Sequence, residues 1–267
     1  MDPWLVLGLA LLPAIGNFGG GMLAEFFPTN NRIVSIALHG AAGIVIAVVS
    51  TELMPEALEQ LSPWLVAAAF GAGGVSYVAI SGAVDRLQAS AKPKGGASSS
   101  GMWMIYIAVS MDLASDGLMI GSGSAVSASM ALVLAMGQVL ADIPEGYATI
   151  ANMKENEVPR SRRILLSASF VIPVVGMAMV SYFLLRDVAD AWKMGALAFV
   201  AGLLSLAAVE DMISEAHESG EDTKWSMLAF TSGFVLFVLV SAGLERFSRH
   251  YLSDASKPPE RSMATRT

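Results

Sequence analysis

Eight stretches of roughly twenty apolar residues follow one another along this chain, a length that matches the hydrocarbon thickness of a bilayer. They run approximately over 4–26, 33–57, 63–86, 102–122, 126–151, 163–186, 192–216 and 225–247. Inside lipid, every backbone N–H and C=O needs an internal partner, and segments of this length meet that demand as helices. The chain is therefore expected to be an all-α integral membrane protein with eight transmembrane helices. Composition agrees: 54% of the 267 residues are hydrophobic and 15% are charged, where a soluble domain carries closer to a quarter. The opening MDPWLVLGLALLPAIG lacks a basic leader and a small-residue cleavage site, so it reads as the first span rather than a signal peptide.

Residues 1–250 read as a single transmembrane domain. Within it, the Gly/Ser/Pro/Lys-rich stretch 87–101 is expected to be a flexible cytoplasmic linker, and the polar tail 251–267 to be disordered. Nine basic residues fall in the odd-numbered loops, from Arg32 to Lys224, against only Arg186 and Lys193 in the even ones. Positive charge marks the cytoplasmic side, so this asymmetry puts both termini outside the cytoplasm of a cell whose plasma membrane holds the chain. Trp4, Trp64, Trp103, Trp192 and Trp225 all fall near span ends, where an interfacial aromatic belt requires them.

Several function classes are excluded early. The chain has no Cys, which removes disulfides, thiolate metal sites and Cys nucleophiles. Three His (His39, His217 and His250) are too few for a His-rich cage. No basic patch suggests nucleic acid. There is no HExxH, Ser nucleophile motif or Gly-rich phosphate loop, so no enzyme and no bound cofactor are expected.

Two internal similarities suggest symmetry. AGIVIAVVSTELMPEA (42–57) and AGLLSLAAVEDMISEA (201–216) align without a gap, placing Glu52 over Asp211 and Glu56 over Glu215. They lie on spans two and seven, which run in opposite directions, as in an inverted-topology repeat. Spans one to three would then mirror spans six to eight around the central spans four and five. Those two share a motif of their own, DLASDG (112–117) over ADIPEG (141–146).

The central spans carry the chemistry. Asp112 and Asp116 are four apart and Asp142 and Glu145 three apart, so each couple shares a helical face. A charge at the bilayer centre costs roughly 2.5–3.5 kcal/mol on insertion scales. No Lys or Arg occurs in the apolar body of either span, so no side chain nearby neutralises these acids. A shared proton or a bound cation relieves the repulsion. Pro144 frees the Leu140 carbonyl one turn back, which adds an oxygen beside two carboxylates. Gly117 and Gly146 permit close approach between helices. Protonated acids bonded across the bundle, and a proton relay, remain rivals to metal binding.

These residues resemble the ZIP (Zrt/Irt-like) metal transporters, in a divergent prokaryotic-type form. The resemblance rests on DIPEG in span five, its acid-Gly counterpart in span four, ELMPEA closing span two and EDMISEAH ending span seven. It implies a divalent metal as cargo, Zn²⁺ first and Mn²⁺, Fe²⁺ or Cd²⁺ otherwise, moved by alternating access, and a homodimer in the bilayer. The family pattern His-Asn-x-x-Glu-Gly carries its first His to Asp112, its Asn to Leu113 and its Glu to Asp116. On span five the same positions fall on Ala141, Asp142 and Glu145, and the span-six acid before a proline falls on Ile172. The implied metal residues are Asp112, Asp116, Asp142 and Glu145, and an all-oxygen set suits harder cations better than imidazole does. A different cation, a proton-coupled substrate, or a metal-binding receptor that has lost transport are the alternatives.

Among secondary features, Glu52, Glu56, Asp211 and Glu215 lie near span ends and read as interfacial acids or a cation-collecting vestibule. His39 and His217 are expected to meet solvent. Met111, beside Asp112, is the methionine worth checking as a ligand, and Gln138 could add a neutral oxygen one turn before Asp142. Asn17, in a Gly-rich run, is expected to bond across helices.

Overall fold

The structure, a computed structural model, describes residues 1–90, 97–214, 216 and 224–255. Among them there is no strand, and eight helical segments are long and apolar enough to span a membrane. Span one is α1 (Pro3–Phe26). Span two is α2 (Asn31–Val48), a π-turn (Val49–Leu53) and α3 (Met54–Gln60). Spans three, four and five are α4 (Pro63–Ser90), α5 (Ala97–Val126) and α6 (Ala128–Glu155). Span six is α7 (Arg160–Ser169) and α8 (Val171–Leu185). Span seven is α9 (Asp190–Ala207) with a π-turn (Ala208–Ile213), and span eight is α10 (Lys224–Ala255).

Local chemistry sets the breaks. Asp2 and Asn30 cap α1 and α2 by accepting from backbone N–H groups of Trp4 and Ile33, at 3.0 and 2.8 Å. Ser127 alone separates α5 from α6 and caps the latter, its Oγ accepting from Met130 N at 3.0 Å. Span six breaks at Phe170 because Pro173 has no N–H to offer the Ser169 carbonyl. Within the expected linker, residues 87–90 and 97–101 are helical, and residues 91–96 lie outside the described residues. Helix also continues to Ala255, past the expected start of the tail, and residues 256–267 lie outside the described residues. All five tryptophans are at least half exposed, four of them within the first three residues of a helix and Trp103 in the second turn of α5.

Glycines sort the helices into two bundles. A Cβ on Gly20 would sit 1.8 Å from the Ile143 carbonyl oxygen and one on Gly146 1.9 Å from that of Asn17, so α1 and α6 touch backbone to backbone. Gly117 against Val174 (2.2 Å) and Gly121 against Ala178 (2.3 Å) join α5 to α8 in the same way. The two pairs pack on each other, α1 against α8 and α5 against α6, as one bundle. In the other, α2 meets α10 through Gly43 against Phe230 (2.0 Å) and Gly233 against Gly40 (2.1 Å). Likewise α4 meets α9 through Gly202 against Phe70 (1.9 Å) and Gly73 against Phe199 (1.9 Å). Between the bundles the contact changes character. At Gly137 an added Cβ would meet side chains, Phe237 at 2.7 Å and Val48 at 2.8 Å, rather than backbone. The largest apolar cluster, with Val48, Met119, Leu134, Leu204 and Phe237, lies across this seam.

Candidate functional site

Helices α5 and α6 run antiparallel through the centre and bring all four predicted carboxylates together. Asp112 faces Glu145, and Asp116 faces Asp142. The i,i+4 spacing stacks the two acid pairs one helical turn apart, roughly 6 Å along the axis. Burial is nearly complete: Asp116 and Asp142 are 1% exposed, Asp112 and Glu145 6%. Gln138 joins them from α6, its Nε2 donating to Asp116 Oδ1.

These groups are under-satisfied. Asp116 Oδ2, both oxygens of Asp142, Glu145 Oε2 and Gln138 Oε1 are buried without a hydrogen-bond partner. None of the ion pairs among the described residues involves the four acids. Acid facing acid is held together only when something positive enters, either a shared proton or a cation. Among the described residues no three His, Cys, Asp or Glu side chains converge as the ligands of a ready-made metal cage do. The arrangement is two stacked acid pairs rather than one closed coordination sphere.

A cavity of about 40 Å³ adjoins the first pair, lined by Asp112, Glu145, Leu38, Ala148, Thr149 and Met212 among others. That volume exceeds the roughly 10–15 Å³ one water needs. Leu38 lies early in span two, Ala148 late in span five and Met212 late in span seven, so the cavity lies on the odd-loop side of Asp112 and Glu145. On the other side, Met119, Ile120, Leu134 and Phe237, all fully buried, fill the space with carbon.

The remaining residues singled out by their place in the sequence fall differently. Met111 packs against Tyr77 and Leu203, away from the acids. Met212, which no sequence pattern marks, lines the cavity instead. His39 is not at the solvent: span two begins at Asn31, so His39 lies two turns in, 6% exposed, with Nδ1 2.8 Å from the Ser35 carbonyl. Ile172, where the resemblance expects an acid, is 69% exposed and so turned out of the bundle, while Leu113 packs with Ala14, Phe170 and Val174. Asn17 is fully buried, but neither end of its amide has a hydrogen-bond partner. Glu52 lies in the first π-turn and accepts from Ser241 Oγ at 2.6 Å, tying span two to span eight. Glu215 and His217, and the side chains of Asp211 and His250, lie outside the described residues.

One further acid has no signature in the sequence. Glu25, at the end of α1, accepts from Arg163 Nε at 2.5 Å and Nη2 at 3.0 Å, with Arg160 at 3.5 Å. The partners are 138 residues apart, and no local pattern announces them. Compared with protein-family models and with curated proteins, the chain matches none.

Proposed function

We propose that this protein is a secondary transporter of ZIP type, passing a divalent metal cation along the carboxylates of spans four and five. The observation that carries the reading is the pair of acid-on-acid contacts: buried, partly without hydrogen-bond partners, free of any cationic side chain and bordered by a cavity on one side. Intramembrane acids of this kind mark ion pathways more often than they serve as glue. Asp112 and Glu145 meet the ion at the cavity. Asp116 and Asp142, with the free carbonyl of Gln138, take it one turn deeper. The cargo is Zn²⁺ by the resemblance, with Mn²⁺, Fe²⁺ and Cd²⁺ as alternatives.

Alternating access follows from the two bundles. Backbone-to-backbone glycine contacts lock the helices in pairs within each bundle, and the two bundles slide along the side-chain seam between them, so the site opens first to one face and then to the other. An inverted repeat underlies this design. The two π-turns fall at aligned positions in 42–57 and 201–216, and the reciprocal glycine contacts of α2 with α10 are repeated by α9 with α4. With the odd loops cytoplasmic, both termini lie outside, the cavity faces the cytoplasm, and the chain works in the plasma membrane as a homodimer.

A second reading has its own support, because acid facing acid is also how a proton is shared. Uptake into proteoliposomes of Zn²⁺, Mn²⁺, Fe²⁺, Cd²⁺ and Mg²⁺ separates the two. Wild type is expected to accumulate at least one metal, and Asp116→Ala/Glu145→Ala none above empty vesicles. Equal uptake by both, or by neither, leaves the acids to protons or to structure.

A further inference from the structure

Resting on that reading, we propose that the Met212 thioether is a selectivity residue, biasing the cavity at Asp112 and Glu145 toward soft and borderline divalent cations. Every other donor at this cavity is oxygen: the two carboxylates, and Thr149, whose hydroxyl already donates to the Glu145 carbonyl at 2.9 Å. Met212 comes from the other bundle, on the π-turn Ala208–Ile213, and is 4% exposed. A π-turn inserts an extra residue into a helical turn and re-aims the side chains it carries, which is why such turns gather at functional positions. Here the π-turn carries a methionine that lines one cavity with the two acids. Its sulfur is polarizable and its three torsions let it follow an ion. Carboxylate oxygens alone suit Mg²⁺, Ca²⁺ and Mn²⁺, and a thioether adds affinity for soft ions such as Cd²⁺.

The test is equilibrium binding of Cd²⁺ and of Mn²⁺ to the full-length protein in detergent, for wild type, Met212→Leu, Met212→Gln and Asp112→Asn/Glu145→Gln. Leu conserves volume without sulfur, and Gln replaces sulfur by an amide oxygen. The ratio of Cd²⁺ to Mn²⁺ affinity is expected to fall on the order of tenfold in both Met212 variants, the scale on which loss of one supporting contact reads. If one variant fails to fold, the other decides. A ratio unmoved by either substitution, while the acid double variant loses both ions, overturns the role of Met212 and leaves the transport reading standing. If wild type binds neither ion, the transport reading falls, and the selectivity proposal with it.

Discussion

Glu25 and Asp142 are both removed from water, one with its side chain 2% exposed and the other residue 1% exposed, yet they are treated in opposite ways. Around Glu25, the Arg163 guanidinium donates twice in the bidentate geometry a carboxylate prefers, Arg160 adds a third N–H group, and Lys154 closes the neighbouring Ala24 carbonyl. Around Asp142 there is another acid and, among the described residues, no cationic side chain. The first arrangement holds a helix end in place. The second leaves two acids to share a proton or to wait for a cation. Stability and uptake should therefore respond in opposite senses at the two places.

The largest effect is expected where charge is already compensated. Arg163→Ala strands Glu25 in a buried position with Arg160, 60% exposed, and the more distant charge of Lys154 left to meet it. Breaking a buried pair by removing one partner costs about 3–5 kcal/mol. Chemical unfolding of the purified protein in detergent would read that loss directly. A change under about 1 kcal/mol, the range of exposed pairs, would mean that Glu25 draws on water after all and that the contrast with Asp142 is false.

A smaller effect is expected from the packing that seats the acids. Gly146 follows Glu145, and a Cβ there would lie 1.9 Å from the Asn17 carbonyl oxygen. Gly146→Ala should force α1 from α6 and cost about 1–3 kcal/mol, as overpacking does. Gly176→Ala, with nothing within 4 Å of the added Cβ, should cost nothing. If both substitutions behave alike in thermal unfolding, backbone contact does not hold the bundle of α1, α5, α6 and α8 together.

How much of this is legible in the sequence follows the range of the forces involved. The spans are readable because apolar length is a local property, and the four acids because like charges at helical spacing in an apolar run conflict with their surroundings wherever the helix goes. What pairs with what is not readable. Asp112 against Glu145 and Asp116 against Asp142 depends on the register of two antiparallel helices, set by single-residue closeness at glycines. Glu25 needs a partner in another span. Apolarity starts span two at 33, two residues late, and so puts His39 nearer the solvent than it lies, while Ile172 falls on the exposed face of α8, which the sequence does not mark. Met212 is hidden for a different reason: a π-turn shifts every face after it, and apolar periodicity assumes an unbroken helix. The aligned segments 42–57 and 201–216 hold a trace of it, since both π-turns fall at the same place in that alignment.

The smallest expected effect is the most informative about the comparison. Asp142→Asn removes one negative charge from the deeper pair and places an amide N–H against Asp116, turning acid on acid into donor on acceptor. If Asp142 is held charged for a passing cation, the variant should be more stable than wild type by about 0.5–2 kcal/mol, the usual gain when a functional compromise is relieved. Metal at ten times its dissociation constant stabilises a protein that binds it only when folded by about 1.4 kcal/mol. Wild type should show that increment in thermal unfolding with the transported metal, and Asp142→Asn should show little of it. The two gains have one origin, relief of the same repulsion, so they should not add. Full additivity would place the metal elsewhere, and a variant less stable than wild type would mean that Asp142 is already satisfied by a proton, as Glu25 is by Arg163.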